Sequence, residues 1–354
     1  MGSLVGWGRL VVFVGSVLLV GLHASVSSAQ EVLKVSGIYG GVWADSIRNA
    51  ILKPFEAKFG VKLEIEEGIS AVTLAKLRQQ KGSPALDVVW MDRIVSDNAI
   101  VEDLVDRVDP ARIPNLKDVV SQAVQKDKNG DIRAITTGFW AAGLAYNKKE
   151  IKTPPVSWLD LWKPEFRGKV ALYSPDNAIG LPILVTIAEL KGGGTQNIDP
   201  GFKAVQELAK QGALFFGGSP AGANLLVTGE AAVATLASSQ VWDLQSKGHP
   251  IEYVVPKEGA VAGDMRVHIV KGTKRKELAE KLVDFAVSAE AQRALATMLL
   301  VGPVNSKVSL PPDVAAKMPW GPGGSVQTLR LVDPYVILER RTAWVERWNK
   351  EIVK

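Results

Sequence analysis

Tryptophan, tyrosine, aspartate and serine recur in this chain just after short apolar runs, where a strand ends and a loop begins. After the run at 33–38 come Tyr39, Gly40, Gly41, Trp43 and Asp45. The run at 87–91 contains Trp90 and leads into Asp92 and Arg93, and Trp140 closes the stretch 136–140. Further along, Ser174 and Asp176 follow the run at 169–173, Ser238 and Trp242 follow 231–237, and Asp264 follows Gly263. Aromatic walls with a few placed polar groups suit the capture of a small molecule. Each residue also has a purely structural alternative. A tryptophan supplies a large buried surface, Asp45 favours a helix N-terminus, and Ser174 or Ser238 can cap a helix.

Catalytic and metal-binding signatures are sparse. The chain has no cysteine and three histidines, which excludes disulfides, thiolate metal sites and a cysteine nucleophile. His249 and His268 sit in or beside strand-like segments and read as structural, so neither a metal nor a cofactor is expected. No phosphate-binding loop or H-E-x-x-H helix is present. The segment 217–222, GGSPAG, misses the G-x-S-x-G nucleophile elbow at Ala221, which leaves an exported hydrolase as the alternative from another class. The net charge of +5 is scattered among acids, with no basic stripe for nucleic acid.

The N-terminus reads as a cleavable export signal. Arg9 precedes an uncharged apolar stretch at 10–24, and Ser27-Ser28-Ala29 supplies the small residues of a cleavage site. The expected leader is 1–29, and the expected location is the periplasm. The rest exceeds what one core covers, so two lobes are expected.

The elements that must position the strand-end residues follow from periodicity. Ile47, Ile51, Phe55 and Phe59 recur at helical spacing, with Pro54 a kink or stop. Val61, Leu63 and Ile65 alternate with charged residues as in a half-exposed strand. A helix at 71–80 and a strand at 87–91 complete a β-α-β-α-β series, which implies a mostly parallel α/β sheet. Two strand-like stretches, 132–137 and 141–146, separate this from a second series. That series has strands at 169–173, 213–216 and 231–237 and helices at 178–190, 202–211 and 240–247. A strand at 265–270, a long helical stretch at 274–300 and a Pro/Gly-rich connection at 302–324 follow. In open α/β sheets, ligands bind beyond the carboxyl ends of the strands.

The stretch 157–169, SWLDLWKPEFRGK, preceded by GLAYNK at 143–148, resembles the spermidine/putrescine-type extracellular solute-binding proteins of ABC importers. Tyr39-Gly40-Gly41, Pro54-Phe55, Gly60-Val61-Lys62, Leu86-Asp87-Val88-Val89 and Gly229-Glu230-Ala231-Ala232-Val233 extend the likeness over about 33–305. The resemblance implies a two-lobed type II periplasmic binding protein fold with crossovers near Gly138, near Asp264 and after Gly302. The lobes would then be 30–137 with 266–305, and 138–265 with 306–354. It also implies a monomer that closes on its ligand and docks on an inner-membrane ABC permease. By the same resemblance, Trp43, Asp45, Trp242 and Asp264 stand near the family's aromatic and acidic ligand positions. Ser174-Pro175-Asp176-Asn177 keeps one acid where polyamine sites tend to have two, and Arg93 would favour an anion. A polyamine or related cationic amine is the first expectation, and a small carboxylate or phosphonate the second.

Overall fold

The computed structural model describes residues 1–3, 6, 8 and 31–353. The leader read at 1–29 lies almost wholly outside the described residues.

The first series holds β1 (Val32–Ser36), α1 (Val42–Ile47), α2 (Lys53–Phe59), β2 (Lys62–Glu66), α3 (Ser70–Gln79), β3 (Val88–Asp92) and α4 (Arg93–Val101). A π-helical turn, Arg48–Leu52, joins α1 to α2. Pro54 therefore lies just after the π turn of a continuous helical run, a place where the ladder is already irregular and the missing N–H is absorbed. Short 3₁₀ turns and β4 (Val124–Lys126) lead into β5 (Ile132–Asn147).

The second series holds β6 (Val170–Tyr173), α5 (Gly180–Leu190), α6 (Asp199–Lys210), β7 (Leu214–Phe216), α7 (Ser219–Thr228), β8 (Val233–Ala237) and α8 (Ser238–Ser246). The chain then returns through β9 (Ile251–Val254), β10 (Val261–Ile269), α9 (Lys276–Ala286), α10 (Ala289–Leu299), the short α11 (Pro312–Ala315) and α12 (Pro334–Glu351).

One mixed sheet results, in the order β2-β1-β3-β10-β5-β8-β6-β7, with β4 and β9 also on β5. The two flanks are parallel, as expected: β1 with β2 and β3, and β6 with β7 and β8. The centre differs, because β5 and β10 run antiparallel to each other and to their flanking neighbours. The two stretches expected at 132–137 and 141–146 are one 16-residue strand. Gly138 and Trp140 look like an interruption in the sequence. In the fold, β10 pairs along this region from Ala142 to Ile135, and only Thr137 is bulged out.

Side chains divide into two main cores. Leu33, Ile51, Phe55, Trp90, Phe139, Val267 and Leu295 belong to the first. Leu144, Trp158, Phe166, Ile183, Phe202, Leu236 and Trp348 belong to the second. A smaller cluster around Leu77, Val89 and Met91 covers the opposite face of β3. Val326 and Leu329 pack into the first core, whereas Ile337, Trp344 and Trp348 of α12 pack into the second.

Local chemistry explains the conspicuous motif. Ser157 and Asp160 form a reciprocal cap on the 3₁₀ turn Trp158–Trp162. Trp158 is fully buried, with its indole N–H donating to the Gly259 carbonyl at 2.9 Å. Trp162 donates to the Ala204 carbonyl at 2.9 Å. These residues hold the second core together.

The helix expected at 274–300 is two, because Ser288 caps α10 by accepting from the Ala291 N–H at 3.3 Å. The GGSPAG segment opens α7 at Ser219. Among the described residues, no helix is long and apolar enough to cross a membrane.

Candidate functional site

The carboxyl ends of β1 and β3 meet the middle of β5 and of β10 at a pocket of about 230 Å³ lined by Tyr39, Trp43, Asp92, Trp140 and Met265. Tyr39 is held in a left-handed conformation (φ 66°) by two backbone bonds with Gly68, at 3.1 and 3.0 Å. Such a conformation persists in a non-glycine residue only when its surroundings fix it. Its hydroxyl donates to Asp92 Oδ1 at 3.0 Å, and the ring lies 5.8 Å from that of Trp43 on α1.

Asp92 ends β3 at the N-terminus of α4. Ser70 Oγ donates to Asp92 Oδ2 at 2.7 Å and accepts from the Asp92 N–H at 2.9 Å. The carboxylate opens onto the pocket, but protein crowds it on the other sides. That lost hydration raises its pKa above the ordinary carboxyl value, against the bonds from Ser70 and Tyr39 that favour the charge, and nearby Asp264 adds to the rise. The Tyr39 phenol is pushed well up, first by burial and then by Asp92, so it stays a donor.

Arg93 and Asp264 occupy a different environment. Asp264 is fully buried and faces away from the pocket-lining Met265, as neighbouring strand residues do. Its Oδ2 accepts from Thr136 Oγ1 at 2.6 Å and from Arg266 Nε at 2.8 Å. Arg266 also donates to Asp97 at 2.6 Å and to Ser96 at 3.2 Å. Arg93 Nη1 stands 3.6 Å from Asp264 Oδ1. Burial would raise the Asp264 carboxyl, but the two guanidinium groups outweigh it and hold it below the usual range. Asp97, with burial dominant over Arg266, lies above its usual range.

Sequence reasoning therefore needs one firm correction and several relocations. Trp90 was expected in the cleft but is fully buried in the first core, with its N–H on Thr137 Oγ1 at 3.1 Å. Its side chain points down the same strand face as Asp92, one layer deeper. Asp264 is closed to solvent in an ionic cluster, and Arg93 reaches that cluster while keeping its side chain partly exposed. Asp45 is exposed, 3.9 Å from Arg48, and does not line the pocket.

Ser174 and Asp176 bond to each other in the turn after β6. There Tyr173 and Ser219 share a hydrogen bond of 2.6 Å, and Arg341 of α12 donates to the Asp176 carbonyl at 3.1 Å. Ser238 is buried at the start of α8. Trp242 packs edge-on against Tyr253 at 5.4 Å, and its buried N–H has no protein partner. Four of the expected residues, Tyr39, Trp43, Asp92 and Trp140, share one pocket. Ser70, Met265 and Arg266 were missed; only Arg266 had a signal, its i+2 relation to Asp264 on a strand. Among the described residues, no group of three His, Asp or Glu is placed to hold a metal ion.

Residues 83–322 match the protein family described as bacterial extracellular solute-binding protein. The chain belongs to that family. This solute-binding protein is 28% identical over 289 residues to a spermidine/putrescine-binding periplasmic protein of Haemophilus influenzae, covering 78% of each chain. It is 23% identical over 340 residues to a gamma-aminobutyric acid-binding protein of Pseudomonas aeruginosa, covering 92% of each. Its fold is shared with an ABC transporter structure from Clostridium perfringens, with a TM-score of 0.80 and 23% identity over 90% of this chain and 99% of that one. A spermidine/putrescine ABC transporter substrate-binding protein from Streptococcus pneumoniae superposes with a TM-score of 0.73 at 17% identity, covering 91% and 99%. The architecture is the two-lobed type II binding-protein fold expected from the sequence.

Proposed function

We propose that this chain works in the periplasm, after removal of its leader, as the solute-receiving component of an ABC importer. It captures a small amine between its lobes and passes it to the inner-membrane permease. The observation that carries this reading is the pocket's composition: three aromatic side chains around one carboxylate, with no basic group in its lining. A cation there pairs with Asp92, while Tyr39, Trp43 and Trp140 offer ring faces to the ammonium and its methylenes. The relatives named for polyamines and for gamma-aminobutyric acid support an amine-bearing ligand.

The anion reading is less well supported. It relied on Arg93, which does not line the pocket and whose partly exposed guanidinium faces Asp264, in a group of two arginines and two aspartates. One pocket acid rather than two favours a single ammonium at this end of the ligand.

On this reading the lobes are 31–137 with 266–305 and 138–265 with 306–353, adjusted where side chains of the second set pack into the first core, as Phe139, Ala141, Ala260 and Ala262 do. Val326 and Leu329 side with the first core, so the connection before α12 goes with the first lobe. Closure then pivots on β5 and β10, which run through both lobes.

A thermal-shift screen of the purified protein against putrescine, spermidine, gamma-aminobutyric acid, succinate and a phosphonate tests the reading. A binder raises the melting temperature by mass action. Stabilisation by amines alone is expected; stabilisation by succinate or the phosphonate alone would overturn it.

A further inference from the structure

We propose that Gly263 positions Trp140 and thereby sets the size of ligand that the pocket accepts, an inference that rests on Trp140 walling the amine site. Gly263 and Trp140 face each other across the β10–β5 ladder. Directly opposed residues on one sheet face normally bring their side chains into contact. Here one of the two has no side chain, and the indole fills the vacated space. A Cβ on Gly263 would stand 2.0 Å from Trp140 Cζ2, 2.5 Å from Cε2 and 2.6 Å from Cη2.

Backbone conformation does not require this glycine. Gly263 is absent from the glycines of positive φ and lies inside a regular, fully buried strand. Glycine weakens a strand interior, and its presence there marks a close approach. The approaching group is the benzo edge of a pocket residue.

The consequence is geometric. The colliding atoms are the far end of a side chain, so a methyl at 263 displaces the ring rather than the strand. Restoring ordinary carbon–carbon contact takes about 1.5 Å of movement. β10 lies on one side of the ring and the cleft is open to it, so the ring moves into the cleft. The pocket, about 230 Å³ and lined by only five residues, shrinks accordingly. Ligands of greater bulk lose more than slender ones.

The test uses the purified full chain as wild type, Gly263→Ala, Trp140→Phe and the double variant. Two readouts are needed: the Trp140 indole N–H signal in a ¹H–¹⁵N spectrum, assigned by its loss in Trp140→Phe, and calorimetric affinities for putrescine and spermidine. Gly263→Ala should shift the Trp140 signal and weaken spermidine about tenfold more than putrescine. In the Trp140→Phe background, which lacks the colliding edge, the alanine should have little further effect on this ratio, a non-additivity that marks direct coupling. A stationary Trp140 signal, or an unchanged affinity ratio in a folded Gly263→Ala protein, would overturn the proposal. If wild type binds neither amine, the amine reading fails by itself. The Trp140 signal then still decides the positioning role: a shift supports it, and a stationary signal overturns it.

Discussion

Arg266 donates to Asp264 at 2.8 Å from two residues along the same strand, and both side chains are buried. Strand geometry puts the pair on one face, turned away from the pocket. With Asp97 and Arg93 they make a cluster of balanced formal charge beneath α4. Asp264 thus serves this cluster, and the pocket keeps Asp92 as its acid.

Arg266→Met is expected to destabilise the protein by about 3–5 kcal/mol, because it leaves Asp264 and Asp97 buried without their main partner. Urea denaturation at neutral pH measures this. A loss below about 1 kcal/mol, the scale of a surface pair, would mean that the cluster is not a structural support.

His268 predicts acid sensitivity. Burial first, then Arg266, lowers its pKa from 6.5 to about 3, and its Nδ1 lies 3.1 Å from the Arg133 carbonyl. The unfolded chain takes up a proton below 6.5 while the folded one resists. Stability is therefore full above 6.5 and falls as pH drops toward 3, by about 2 kcal/mol at pH 5. Denaturation curves at pH 7, 6 and 5 should show a smaller decline in His268→Gln than in wild type.

These relations mark how far the sequence could be read. The parallel flanks were legible because β1, β2 and β3 carry the right periodicity and alternate with helices. β9 was missed because four residues after a turn carry little pattern. α12 was missed although Trp344, Trp348 and Ile352 repeat at i+4 and are buried in the second core. Trp43 and Trp140 do line one pocket, but Trp140 sits mid-strand in β5 rather than at a strand end, and the strand-end rule misplaced Trp90, which lies two residues before the end of β3. The Tyr39–Asp92 and Ser70–Asp92 bonds join residues 53 and 22 positions apart and depend on tertiary packing.

Trp43→Ala should weaken amine binding by roughly tenfold, in keeping with about 1–2 kcal/mol for a desolvated cation–π contact. Trp43 is only partly buried, so its melting temperature should fall less than that of Trp158→Ala, which empties a fully buried site. Calorimetry and a melting curve on both variants separate the two effects.

Asp92 has the opposite sign to an ordinary surface acid. Its folded pKa lies above 3.8, so ionisation costs the unliganded protein stability as pH rises through that raised value. Relative to wild type, Asp92→Asn should gain stability between pH 4 and pH 7, as compared by urea denaturation. A ligand ammonium reverses the shift, so binding at mildly acidic pH should release protons, seen as a buffer-dependent heat.

The central claim is that Asp92 meets the positive charge of the ligand. Calorimetric titration of Asp92→Asn beside wild type, with putrescine at neutral pH, tests it most directly. Removing the carboxylate's charge should weaken binding roughly 10- to 100-fold, the scale of a charged hydrogen bond. Unchanged affinity in Asp92→Asn, with binding lost instead in Arg93→Ala, would contradict the account.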